Sequence, residues 1–379
     1  MLSEIKTTLT SLQTSSIRLD LASICGIMIG IITVRAPQLF QVSVVRKVHN
    51  HYIWDHFHCR ETFVQKFLLE KMNWSLRRST RSGKKIPDGV TYILTNTFFR
   101  LVHTISENSI TIELTVNTDQ TLVVYAAGAS ETYAPKGSKQ VEVVGKDEKR
   151  GFTVVIGISM SGAVLPFQAV YAGSTARSLP SPAAPDYHKA TDTLGFHFES
   201  GGSNHWSTLS TMQSYVQHIL VPYFEGHRKV QNQICIWQID CWSVHWSAEF
   251  CHWMYKTYPW IQIHYVPANC TGLFQPCDVG IQRVLKLAIR RSALQDIIND
   301  TMEQLGHGIE PSKVTFEKRL GIIQDHSVKW LVNGYEAINN PELVKKVIFM
   351  GILSFSYLSD ILTGISTLFH WTKGLQSLI

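Results

Sequence analysis

From Thr111 onward, the hydrophobic period of this 379-residue chain changes. Up to Glu107, apolar residues recur every three or four positions, the spacing of a helix face. Ile5, Leu9 and Leu12, then Ile24, Ile27, Met28 and Ile31, form such stripes within a helical Met1–Val34, which Ala36-Pro37 ends. Ile93, Leu94, Phe98, Leu101, Val102 and Ile105 form another over Tyr92–Glu107. After Thr111 the pattern becomes alternating or β-branched: Thr111–Thr118, Val141–Val144, Phe152–Ile158 and Leu165–Tyr171 read as strands, the earliest of them as an antiparallel meander. Beyond Thr208, helices and strands take turns. Thr208–Val221 and Ala248–Tyr258 read as helices, and Ile261–Val266 as a strand. Gln233–Ile239 is a continuous apolar run, the mark of a strand buried on both faces. Val279–Ser292 is an amphipathic helix, and Ser178–Asn204 reads as an excursion from the sheet. This order predicts an α/β fold, a mixed sheet flanked by helices, preceded by an all-α region.

With 45% hydrophobic and 17% charged residues, the chain can bury a substantial core. The seven cysteines are odd in number and contain no CxxC pair, which argues against a disulfide framework or a zinc ribbon. His56, His58 and Cys59 cluster, but no second pair follows at finger spacing. Ala22–Val34 is apolar yet too short for the ~20 residues a membrane-spanning helix needs. Asp360 and several hydroxyl residues interrupt the apolar Val347–Phe369. No membrane span is expected, and a reduced intracellular compartment is.

Charge is concentrated in one place. Between Gln41 and Thr91, ten Lys/Arg face four acids, an excess of six that equals the formal charge of the whole chain. Such a block suits a polyanion, or else forms a solvated face. Phe63, Phe67, Leu68 and Met72 give a helical stripe, Asn73-Trp74-Ser75 a turn, and Leu76–Lys85 a second, basic helix. That is a helix-turn-helix layout. Arg77, Arg78, Arg81, Lys84 and Lys85 are then the candidate DNA contacts, mostly to phosphate, which supplies affinity rather than sequence choice.

Three aspartates stand at predicted element ends. Asp119 ends the first strand of the sheet, Asp240 ends the apolar run, and Asp278 opens a helix after a proline turn. In α/β sheets, functional groups gather at strand ends and helix starts. Each aspartate alone also fits a helix cap or a turn. His245, five residues after Asp240, fits either a substrate contact or a structural role. Lys136, Lys139, Lys149 and Arg150 fit either a DNA groove or solvated hairpin charges.

The stretches Val116–Thr121, Lys136–Val141, Gly145–Arg150, Leu165–Ala169, Trp237–His245 and Leu273–Ile281 carry a resemblance. From about Arg18 to Met350, the chain resembles DDE-superfamily transposases of the pogo branch in the mariner/pogo group, especially fungal forms. The resemblance implies an RNase H-like fold and a metal-binding catalytic triad of Asp119, Asp240 and Asp278. It implies two Mg²⁺ or Mn²⁺ ions that cut and rejoin phosphodiester bonds, double-stranded DNA at transposon terminal inverted repeats as partner, a homodimer, and action in the nucleus. The expected division is a helical DNA-binding region over 1–110 (the second half of a bipartite one), a catalytic domain over 111–300, a helical segment over 301–350, and a tail over 351–379 that departs from the family. The competing expectation is a nuclear DNA-binding protein derived from such an element and lacking transposition activity.

Overall fold

The computed structural model describes residues 1–14, 19–48, 51–76, 87–125, 133–138, 150–317 and 319–353. Their helices are α1 (Leu2–Thr14), α2 (Leu21–Arg35), α3 (Glu61–Met72), α4 (Val90–Glu107), α5 (Leu209–Tyr215), α6 (Val221–His227), α7 (Ala248–Thr257), α8 (Thr271–Phe274), α9 (Gln282–Gly306), α10 (Leu320–Ile338) and α11 (Pro341–Leu353). Their strands are β1 (Ser43–Val48), β2 (His51–His56), β3 (Trp74–Leu76), β4 (Thr115–Val124), β5 (Tyr133–Pro135), β6 (Gly151–Ser159), β7 (Gln168–Tyr171), β8 (His197–Ser200), β9 (Cys235–Asp240) and β10 (Ile261–Val266).

They make two compact units, each drawn from separate stretches of chain. One comprises Met1–Ser82, Val124–Arg150 and Arg290–Ile323; the other comprises Gly83–Val123, Gly151–Ile289 and Gln324–Ile379.

The first unit is mainly helical. Leu9, Leu12, Ile24, Met28, Val64 and Leu68 are buried together where α1, α2 and α3 pack. Asp20 starts α2 with a reciprocal cap: its side chain accepts from the Ser23 backbone N–H, while the Ser23 hydroxyl accepts from the Asp20 N–H. Gly26 and Gly30 let α9 lie against α2; a Cβ at Gly26 would fall 2.5 Å from Ile298 Cδ1. Asn73 ends α3 in the left-handed conformation, φ 54°, as the expected turn requires. The second helix does not open where the sequence predicted it. Trp74–Leu76 instead forms β3, paired antiparallel with Tyr133–Pro135, and buried Trp74 fills the core beside Tyr133. Arg77, Arg78, Arg81, Lys84 and Lys85 lie outside the described residues, as do Val141–Val144, Lys139 and Lys149.

The second unit is a mixed α/β layer structure of the RNase H-like type. Its six-stranded sheet has the order β10-β9-β4-β6-β7-β8. β9 runs parallel to both β10 and β4, β6 antiparallel to β7, and β8 parallel to β7. All nine residues of β6 are buried, which its unbroken apolar and small-residue run requires. On one face, Leu101 and Ile105 of α4, Tyr215 of α5, Phe224 of α6 and Phe250 of α7 close over Val116 and Trp237. On the other, Tyr335 of α10 stacks edge-on against Phe167, and Ser327 bonds the buried Tyr171 hydroxyl.

Two sequence expectations change here. Ser178–Asn204 does not stay off the sheet, because His197–Ser200 returns as its edge strand β8. The first strand does not begin at Thr111 or end at Asp119. Ile112–Leu114 is a 3₁₀ turn, and Asp119 sits in the middle of a strand that continues to Val124.

Candidate active site

Alternation along β4 sends Asn117, Asp119 and Thr121 to the same face of the sheet. All three are buried, and all three meet one short segment, Cys277–Gln282, where a π-turn leads into α9. The Cys277 backbone N–H donates to Asn117 Oδ1 at 3.0 Å. Asp278 reaches the Asp119 side chain by a hydrogen bond. The Gln282 amide donates to Asp119 Oδ2, while Gln282 Oε1 accepts from the Thr121 hydroxyl at 3.0 Å. Gln275, fully buried just before the turn, donates to the Thr118 carbonyl at 3.2 Å. The polar strand centre is therefore satisfied by the helix start that faces it, as burial of such groups demands.

Asp240 arrives from the neighbouring strand. β4 and β9 pair in parallel with Asn117 opposite Gln238, and Asn117 Nδ2 donates to the Gln238 carbonyl at 3.2 Å. Asp119 and Asp240, the last residue of β9, each lie two residues beyond this last paired position, and the Asp240 charge acts on Asp119. The structure thus brings the three sequence-selected aspartates to one place. Asp119 is buried, while the Asp240 side chain keeps 32% of its exposure, which leaves a solvent-facing side.

Burial, then the negative charges of Asp278 and Asp240, hold the Asp119 carboxyl well above the usual carboxylate range. Burial first, and then Asp119 and Asp278, likewise push the Cys277 thiol up, so its sulfur is held as the neutral thiol. The site offers oxygen donors.

His245 follows Asp240 through a tight turn and is 3% exposed. Its Nδ1 lies 2.8 Å from Asp240 Oδ1, and its Nε2 lies 3.3 Å from the Gln120 amide nitrogen. An ionised carboxylate only accepts and an amide NH₂ only donates, so this geometry fits the neutral ring with its proton on Nδ1. The histidine orients Asp240. Of the two readings open in the sequence, the structure favours the structural one. Tyr265 anchors the same turn by donating to the His245 carbonyl at 2.7 Å. Lys136 and Arg150 are exposed.

Gln282 and Gln120 were not singled out in the sequence. For Gln282 a signal existed: it stands four residues after Asp278, one turn along the same helix face. Gln120 gave none, since its partner His245 is distant in sequence.

Among the described residues, no group of three or more His, Cys, Asp or Glu side chains is arranged to hold a metal ion as it stands. Asp119 and Asp278 are joined to each other, and Gln282 and His245 each engage one carboxylate. The chemistry of the donor set nevertheless fits a hard divalent cation, which takes carboxylate oxygens. Charge between the acids would relieve the repulsion that raises Asp119.

The family model described as DDE superfamily endonuclease matches residues 149–341, a span that includes Asp240 and Asp278 and leaves out Asp119. No curated protein matches the chain. Among solved structures, the Mos1 strand transfer complex is similar at 12% identity and a TM-score of 0.39, over 77% of this chain and 67% of that one. The Mos1 mariner paired end complex with Mn is similar at 11% and 0.41, over 77% and 68%. The corresponding complex with Mg is similar at 11% and 0.40, over 78% and 69%. No helix among the described residues is long and apolar enough to cross a membrane.

Proposed function

This chain belongs to the DDE superfamily of endonucleases, and from that premise we propose that it is a transposon-encoded transposase that cuts and rejoins DNA strands. One observation carries the reading: Asp119, Asp240 and Asp278, from a strand centre, a strand end and a helix start, meet closely enough for two of them to raise the third's affinity for a proton. A pair of Mg²⁺ or Mn²⁺ ions held by these carboxylates would supply a lowered water pKa and stabilise the leaving 3′-oxygen. Asp119 is the natural shared ligand, because the charges of both other carboxylates act on it. Asp240 presents its exposed edge to the DNA side, with its rotamer set by His245. Asp278 completes the set from the start of α9.

The reading extends to the finer assignments. The chain is placed in the pogo branch, with residues 1–110 as the DNA-binding region, 111–300 as the catalytic domain and 301–350 as a helical accessory segment. Arg77, Arg78, Arg81, Lys84 and Lys85 neutralise phosphates, and the protein acts in the nucleus, as a dimer on terminal inverted repeats.

The test is Mg²⁺-dependent nicking of duplex DNA carrying the inverted repeats that flank the coding region. Wild type is expected to nick, and Asp240→Ala to lose activity by several orders of magnitude. Equal nicking by both would end the catalytic assignment. The second reading is a DNA-binding protein derived from such an enzyme. It predicts repeat-specific binding with no nicking at any Mg²⁺ concentration.

A further inference from the structure

The Gln282 side chain ties the start of α9, four residues beyond Asp278, to the strand bearing Asp119. It is 9% exposed. Its amide nitrogen donates to Asp119 Oδ2 and, at 3.4 Å, reaches the Gln120 carbonyl. Its amide oxygen accepts from the Thr121 hydroxyl. The Thr121 bond has a specific consequence. An amide can turn over and present oxygen instead of nitrogen; a hydroxyl serves either end, but the Gln120 carbonyl only accepts, so it keeps the nitrogen on the carboxylate side while Thr121 holds the oxygen. Thr121 is 4% exposed and lies two residues from Asp119 on the same strand face, so the orienting group and the oriented carboxylate share one rigid support. The other oxygen of Asp119, Oδ1, accepts from the Gln120 backbone N–H at 2.8 Å. With a donor on each oxygen and Asp278 bonded to the same carboxyl, its plane is fixed.

We propose that Gln282, oriented by Thr121, is a positioning residue that fixes the Asp119 carboxylate for divalent-cation binding. The inference rests on the reading of Asp119 as a metal ligand. Partners that hydrogen-bond a ligating carboxylate set its orientation, and their loss costs about 10–100-fold in metal affinity. Gln282 makes no contact with the substrate in this role and transfers no proton.

The experiment is Mn²⁺ binding to the full chain, followed by the electron paramagnetic resonance of free Mn²⁺, with thermal unfolding as a folding control. Gln282→Met keeps the side-chain length and removes both amide functions. Its apparent dissociation constant for Mn²⁺ is expected to rise about tenfold. Thr121→Val touches no carboxylate and is expected to weaken binding in the same direction by a smaller factor. The double variant is expected to bind no more weakly than Gln282→Met alone, because Thr121 acts only through Gln282. If Gln282→Met does not fold, the comparison of Thr121→Val with wild type decides. Unchanged or tighter Mn²⁺ binding in a folded variant overturns the inference and leaves the metal-ligand reading standing, provided Asp119→Asn still abolishes binding. A wild type that binds no Mn²⁺ overturns both.

Discussion

Asp119 and Asp240 each stand two residues beyond the pair that ends the β4–β9 ladder, Asn117 and Gln238. Both are carried on strands rather than on loops. The first of them is buried and the second is half open to solvent.

That difference gives the metal-free protein a pH signature. Burial, then Asp278 and Asp240, raise the folded-state pKa of Asp119. The folded protein therefore keeps a proton that the unfolded chain has released. Stability falls as pH rises through the interval between the ordinary value, about 4, and the raised one. Below that interval the penalty is absent, and above it the penalty is complete. Asp119→Asn removes the effect. In chelator, the variant should be more stable than wild type at pH 8, and the gap should close towards pH 4 in urea titrations. A gap that does not vary with pH would refute the assignment.

The charge on Asp240 can be read through its neighbour. Cys241 is an exposed thiol whose pKa is raised by its partial burial first and by Asp240 second. Only the thiolate alkylates, so Asp240→Asn should speed iodoacetamide labelling of Cys241. Cys59 and Cys235 are buried thiols pushed up to about 12, and they should remain unlabelled in the native protein. Peptide mass mapping at pH 8 measures all three at once. Slower labelling of Cys241 in the variant would contradict an ionised Asp240.

A buried hydroxyl under the site should matter for stability. Thr118 Oγ1 accepts from the Trp237 indole N–H at 3.0 Å and lies 3.1 Å from the Tyr215 hydroxyl, with both rings fully buried. Thr118→Val keeps the shape and strands both polar groups. The expected cost is about 1–3 kcal/mol in denaturant unfolding. Thr118→Ser should retain most of the stability. Equal stability of the valine variant would mean the bonds contribute nothing.

The basic stretch makes a solution prediction. Arg77→Ala with Arg78→Ala should weaken duplex binding and flatten the slope of log affinity against log salt by about two, roughly one per lost phosphate contact. Filter binding between low and moderate salt would measure it. An unchanged slope would remove these arginines from the interface.

Much of this was legible in the sequence, for identifiable reasons. Cys235–Asp240 is plain because a run of buried apolar residues broken only by Gln238 ends in an acid. Tyr92–Glu107 was plain because its stripe is long. β4 was misjudged at Asp119, since Asn117–Thr121 looks like a strand giving way to a loop. Those polar side chains stay in the strand because the Cys277–Gln282 segment, far away in sequence, supplies their partners. β8 was missed because four half-buried residues pair in parallel with β7, an arrangement no local pattern encodes. The charges after Leu76 suggest a helix there, whereas the pairing of Trp74–Leu76 with Tyr133–Pro135 decides its conformation.

The strand of Asp119, β4, lies in the interior of the sheet, with β9 on one side and β6 on the other. That strand continues on either side of Asp119, so its backbone is held at both ends. Asp240, at a strand terminus, and Asp278, in a π-turn, carry no such restraint on both sides. Any adjustment of the pocket to ion radius must therefore come from these two, around an immobile reference point. A larger ion in place of Mg²⁺ should displace the helix start and the turn after β9, and leave the middle of β4 where it is.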